Sequence, residues 1–159
     1  MLHNELQRLI DDLEHRAKRL ILQHSTLEPA YQLLLSIPGI GDKTARTLMA
    51  EYGQQLLSAS PKQMTRFAGL DVVVYESGSS VRKQPRISKQ GNWRVRRALY
   101  LAALSAIRYN PTLAPYYQRK RQQGLQPKQA LVAVMRRLLH LVYGVLKHQK
   151  PYNPDYKMT

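Results

Sequence analysis

Cysteine is missing altogether from the 159 residues, which excludes disulfides, thiolate metal sites and a cysteine nucleophile and points to a reducing cytoplasm. Acidic residues are scarce: ten aspartates and glutamates stand against 25 lysines and arginines, for a formal net charge of +15. None of the ten lies between Ser77 and Pro154, a stretch that holds sixteen of the basic residues. A surface charged in that one-sided way repels itself when folded, and a phosphodiester backbone is the commonest polyanion to supply the missing charge. Long apolar runs are lacking too. The run Leu138 to Val145 is interrupted by His140 and Gly144 and is too short to span a bilayer, so neither a transmembrane helix nor a membrane partner is expected. The first residues, with Asn4, Glu5, Asp11 and Asp12, have no apolar signal-peptide core.

The shortage of acids also narrows the chemistry. Two-metal hydrolysis needs clustered carboxylates, whereas Asp11, Asp12 and Glu14 share the first helical segment and Glu28, Asp42, Glu51, Asp71 and Glu76 are scattered without ligand spacing. No metal site is expected in this chain. None of His3, His15, His24, His140 or His148 begins the His-x-x-Arg element a tyrosine recombinase would use. The basic half offers no acid to orient the histidine of a serine-hydrolase triad. What remains is a serine surrounded by guanidinium groups. Attack of a serine oxygen on phosphorus loads negative charge onto the non-bridging oxygens, and fixed arginines stabilise that state.

The residues that are present predict a mainly α protein of one compact domain with an appendage. Leu2, Leu6, Leu9, Leu13 and Leu20, with Arg16 in the remaining slot, form a heptad seam. Such a short seam needs another helix to cover it, which makes residues 1–28 a coiled-coil helix for self-association or docking. Residues 29–152 form the helical body and 153–159 a tail. Within the body a helix from about Pro29 to Ser36 runs into Ile37-Pro38-Gly39-Ile40-Gly41-Asp42-Lys43-Thr44-Ala45. Two glycines flanking Ile40 allow a tight turn whose amides can approach a phosphate, with Asp42 capping the next helix and Lys43 adding charge. The pattern resembles a helix-hairpin-helix, which grips a DNA backbone without reading bases. Gly39, Gly41, Lys43 and Thr44 are therefore candidate DNA contacts.

Ser60-Pro61 predicts an N-cap and first turn of a short helix ending before Gly69, and Asp71 to Glu76 is the one convincing strand. Ser77 to Asn92 is a polar, basic loop unsuited to packing a core, contributing Arg82, Lys83, Arg86 and Lys89 as candidate DNA contacts. From Asn92, a predicted N-cap, a helix to about Tyr109 adds Arg94 and Arg97 and buries Val95, Leu99, Ala102, Ala103 and Ala106. A short helix carries Tyr116 and Tyr117, read as packing residues before base-stacking ones. Pro127 opens a last helix whose stripe of Leu131, Val134, Met135, Leu138, Val142 and Leu146 is core.

Several ordered motifs together resemble the C-terminal transposase domain of the insertion-sequence family that includes Piv-type DNA invertases and bridge-RNA-guided recombinases. They are Ile-Pro-Gly-Ile-Gly with Thr-Ala at 37 to 45, Phe-Ala-Gly-Leu at 67 to 70, Glu-Ser-Gly at 76 to 78, Ile-Ser-Lys-Gln-Gly-Asn at 87 to 92, Arg97-Ala98-Leu99-Tyr100 and Ala130 to Met135. The resemblance covers roughly 33 to 152. It implies a bacterial or archaeal cytoplasmic protein in which Ser77 joins covalently to DNA, with Ser79, Ser80 and Ser88 as fallback nucleophiles. It also implies a divalent metal, magnesium, held by an acidic RuvC-like domain ahead of this stretch. That domain is expected to be absent here, so that the chain, a fragment or a truncated product, carries no cofactor of its own, binds DNA with strong salt dependence and does not cut it unaided. A homo-oligomer through the first helix and a guide RNA complete the implied partners. The rival reading is a non-catalytic hairpin binder of branched DNA or structured RNA, indifferent to Ser77.

Overall fold

The leucine seam does form one helix. α1 runs from Leu2 to Gln23, yet none of its residues is buried: Leu2, Leu6, Leu9, Leu13 and Leu20 all stand exposed, each with more than half its surface in solvent. It meets the rest of the chain chiefly through α2 (Leu27–Leu35) and through Ile21, which packs on the edge of the core. The computed structural model describes residues 1–73 and 86–155.

α2 starts two residues ahead of Pro29, which thus sits in the first turn, where a missing N–H costs nothing. The turn Ser36 to Gly41 leads into α3 (Asp42–Tyr52). Ile37 and Ile40 of that turn are buried, and enclosing a side chain of this size contributes about 2 kcal/mol each. Two short helices follow, α4 (Gln55–Ser58) and α5 (Pro61–Phe67). Ser60 and Gln63 form a reciprocal capping box at the start of α5, with Pro61 at the first helical position.

The strand expected over Asp71 to Glu76 is described only as β1 (Val72–Val73), paired antiparallel with β2 (Arg86–Ile87) in the register Val72 to Ile87 and Val73 to Arg86. The basic tract is therefore not wholly a loop, and Ile87 packs against the core.

The centre of the molecule is α6 (Trp93–Tyr109) against α8 (Pro127–His148), with α7 (Leu113–Gln122) lying on both. Asn92 caps α6, its side chain accepting from the amides of Arg94 and Val95. Ala102, Ala103 and Ala106 make one face of α6 thin enough for close approach by its neighbours. By length and composition α8 could cross a membrane. Its apolar stripe, from Ala130 through Leu138 to Leu146, is instead spent on the protein core. Asn110 is fully buried at the end of α6. It donates to the Pro38 carbonyl (3.0 Å), accepts from the amides of Thr112 and Leu113 (2.9 and 3.0 Å), and accepts from the Tyr152 hydroxyl (3.0 Å). The Tyr152 amide donates in turn to Ser36 Oγ at 2.8 Å, so the start of the glycine turn is tied to the C-terminal segment and its middle, through Pro38, to Asn110.

Candidate nucleic-acid interface

The two glycines of the 37–41 turn do different work. Gly39 has φ +107°, and a Cβ there would stand 2.7 Å from Ala106 Cβ and 3.0 Å from the Ala102 carbonyl oxygen. It is glycine because the turn lies directly on α6. Gly41 has φ −92° and open space where a Cβ would project, and it serves as the N-cap of α3. Asp42 does not cap. Its carboxylate accepts from the Tyr31 hydroxyl and, at 2.9 Å, from Arg46 one turn along. Burial would raise the Asp42 carboxyl, but the hydrogen bonds from Arg46 and Tyr31 outweigh it and hold the group below its ordinary value. The same burial, with Asp42 close by, pushes the Tyr31 phenol up to about 12.

Between α1, α3 and α6 runs a groove of about 1040 Å³ into which Gly39, Gly41, Lys43, Thr44, Arg94 and Arg97 all face. Six of the ten predicted DNA contacts thus come together from separate parts of the sequence. The first turn of α3 presents its amide donors and the positive end of its dipole beside Gly41, the arrangement that favours an anion. Carboxylates are also present. Glu14 of α1 pairs with Lys43 and with Arg46, both at 3.2 Å, and the Lys43 hydrogen bond holds the Glu14 carboxyl below its ordinary value against slight burial. Glu51 lies 3.8 Å from Arg94 and accepts from Asn92 Nδ2. Arg94 also lies over the Trp93 ring, 5.2 Å from its centroid. Trp93 is more than half exposed, lines the groove, and was missed by sequence reasoning. As the chain's one tryptophan, directly after a helix cap and before an arginine, it carried a signal that could have found it.

The remaining candidates lie elsewhere. Arg86 is on β2 and Lys89 follows it with φ +54°; neither lines the groove. Ser88, a fallback nucleophile, donates its hydroxyl to the Asp71 carboxylate at 2.5 Å and accepts from the Gln90 amide, which places it in the closure of the strand pair. Ser77, Ser79, Ser80, Arg82 and Lys83 lie outside the described residues. Of the described residues on either side, Val73 pairs with Arg86, and the stretch after β2 lies on the end of α5. There the Asn92 amide donates to the Phe67 carbonyl at 2.7 Å and the Lys89 amide to that of Gly69 at 3.1 Å. A Cβ on Gly91 would stand 2.5 Å from the Gly69 amide nitrogen and closer still to the Phe67 carbonyl oxygen. The Phe-Ala-Gly-Leu and Lys-Gln-Gly-Asn motifs are thus two sides of one contact. Among the described residues no three acidic or histidine side chains cluster as a metal site.

Comparison with known proteins places the chain in a family. The family model described as Transposase IS116/IS110/IS902 family matches residues 31–118, which takes in the glycine turn, both glycine motifs and α6. The pilin gene-inverting protein of Moraxella bovis is 34% identical over 146 residues, 91% of this chain and 45% of that protein. An insertion element IS900 protein of Mycobacterium paratuberculosis is 35% identical over 126 residues, 77% of this chain and 31% of that protein. The IS110 protein of Streptomyces coelicolor is 28% identical over 119 residues, 75% of this chain and 29% of its own length. The chain spans less than half the length of these curated relatives. On the match of more than half its residues to the family model, the chain belongs to the IS116/IS110/IS902 family of transposases.

Proposed function

We propose that the groove between α1, α3 and α6 seats the sugar-phosphate backbone of duplex DNA, and that the chain is the DNA-binding, strand-joining portion of a transposase or site-specific recombinase. The observation that carries this reading is the convergence of Gly41, Lys43, Thr44, Arg94 and Arg97 on one groove at a helix N-terminus. In the helix-hairpin-helix reading, the α3 amides and Lys43 take one phosphate while Arg94 and Arg97 take others. Such contacts fix position and orientation without selecting sequence.

In this reading Ser77 is the nucleophile. Its Oγ–P bond forms as the bond from phosphorus to the leaving deoxyribose oxygen breaks, and the hydroxyl proton ends on that oxygen. Arg82 and Lys83 stabilise the charge on the non-bridging oxygens. The described residues do not fit a divalent metal; if magnesium takes part, its donors come from outside them. The exposed leucines of α1 are read as the homo-oligomer seam, and the same cationic surface would accept a guide RNA.

The test has two arms. Affinity for a short duplex across a salt series should fall steeply, and Arg94→Gln with Arg97→Gln should weaken binding and flatten the salt slope by about 2; an unchanged slope overturns the groove assignment. In the full-length protein, Ser77→Ala should leave binding intact and abolish a covalent protein–DNA adduct. An adduct that survives Ser77→Ala overturns the serine assignment. Absence of any adduct together with preference for branched DNA favours a non-catalytic hairpin binder.

A further inference from the structure

The cations of α7 and α8 follow a different plan from those of the groove. Tyr116, half-buried against the core, has three of them around its ring: Arg119 at 5.8 Å, Lys120 at 5.5 Å and Arg137 at 5.9 Å from the centroid. A ring face attracts a cation by only about 0.5–1 kcal/mol at an exposed site, while like charges gathered this closely repel one another. Every pairing of a lysine or arginine with a carboxylate among the described residues lies between Asp12 and Arg94. On α7 the hydrogen-bond partners are neutral: Lys120 donates to Gln123 Oε1 at 3.2 Å and Arg121 to the Leu125 carbonyl at 2.6 Å. They orient the cations without neutralising them. Burial, then Arg137 and Arg136, hold the His140 imidazole below its ordinary value, as expected beside concentrated positive charge. No residue of α7 or α8 lines the groove.

We infer that Arg119, Lys120 and Arg137, gathered around Tyr116, form a second phosphate-backbone site that takes a DNA duplex separate from the one in the groove, so that a single chain holds two DNA segments. The ring, occupied in holding cations, positions charge rather than stacking a base, which suits a duplex backbone better than an unstacked strand. The inference rests on the groove reading for its first duplex. Recombination joins two segments, and a chain with two cationic faces on different helices is suited to carrying both.

The test is the number of short duplexes bound per chain at saturation, counted on the monomer at protein concentrations where light scattering shows no self-association. The wild-type chain is expected to bind two. Arg119→Gln/Lys120→Gln/Arg137→Gln should bind one, with a salt slope smaller by about 2 to 3, at about 0.9 for each phosphate left without its cation. Because Arg137 is half-buried, Arg119→Gln/Lys120→Gln, which leaves it in place, serves as the variant least able to disturb folding. It should bind one duplex tightly and the second at least tenfold more weakly. One duplex on the wild type, or two retained undiminished by both variants, overturns the proposal. Hairpin RNA displacing the second duplex while leaving the first overturns its assignment to DNA. If Arg94→Gln/Arg97→Gln binds two duplexes with undiminished affinity and an unchanged salt slope while the α7–α8 variants bind one, the groove reading fails and this site stands.

Discussion

Around the groove, cations are held by carboxylates: Arg46 by Asp42 and Glu14, Lys43 by Glu14, Arg94 by Glu51. On α7 and α8 they are held by an aromatic ring, a side-chain amide and a backbone carbonyl. The two arrangements ask different things of a phosphate. In the groove it must exchange places with an existing anion, but the Lys43–Glu14 pair is exposed and such pairs contribute about 0–1 kcal/mol, so the exchange is nearly neutral and the side chains are already aimed. On α7 and α8 there is repulsion to relieve and no carboxylate to displace. The first design favours defined geometry and the second favours long-range attraction.

The strongest way to break the comparison is to cut the joint between the two regions. Asn110 caps α7 with its Oδ1 and holds the glycine turn with its Nδ2. Asn110→Ala strands these buried groups and should cost about 3–4 kcal/mol in chemical denaturation. Next in size is the contrast between the glycines. Gly39→Ala meets both a positive φ and the Ala106 methyl and should cost about 3 kcal/mol. Gly41→Ala, with neither obstacle, should stay within about 1 kcal/mol, so that any larger loss of duplex affinity there reports backbone contact. A smaller effect sharpens the electrostatic half. Glu14→Gln removes the anion paired with Lys43 and Arg46 and should strengthen duplex binding about threefold at low salt, fading as salt rises; weaker binding would show that Glu14 aims Lys43 more than it competes.

The smallest effect is one of pH. His140 is held below its ordinary 6.5 in the folded chain, so as pH falls through that value the unfolded chain takes up the proton first and stability declines across the window. His140→Gln should flatten this slope in a pH series of thermal melts. Duplex bound on α7–α8 should raise the imidazole pKa, as followed by NMR.

Sequence reasoning succeeded where the signal is local. The Ser60-Pro61 start of α5, the Asn92 cap of α6 and Pro127 at the head of α8 each depend on neighbours within one helical turn, and the apolar stripe of α8 depends on its own period. It failed where the partner is distant in the chain. Asp42 looked like a cap because Tyr31 and Arg46 could not be seen competing for it. The close approach of Gly39 to Ala106 was not legible either, because the two lie far apart in the sequence. Gly69 and Gly91 were separate motifs until their backbones were found in contact. Arg119 and Lys120 share a short helix with Tyr116, but Arg137 joins them only through the packing of α8 on α7.

α1 is 22 residues long and so extends about 33 Å at 1.5 Å per residue, while its attachments, Glu14 and Ile21, sit in its second half. Geometrically that makes it a boom anchored near its base. A partner covering the leucines toward Met1 would sit well away from the glycine turn, yet any tilt it imposed would be delivered at Glu14. If two chains join through those leucines, as proposed above, the reach of that boom would set how far apart the two bodies stand and link their spacing to Lys43 and Arg46 through Glu14.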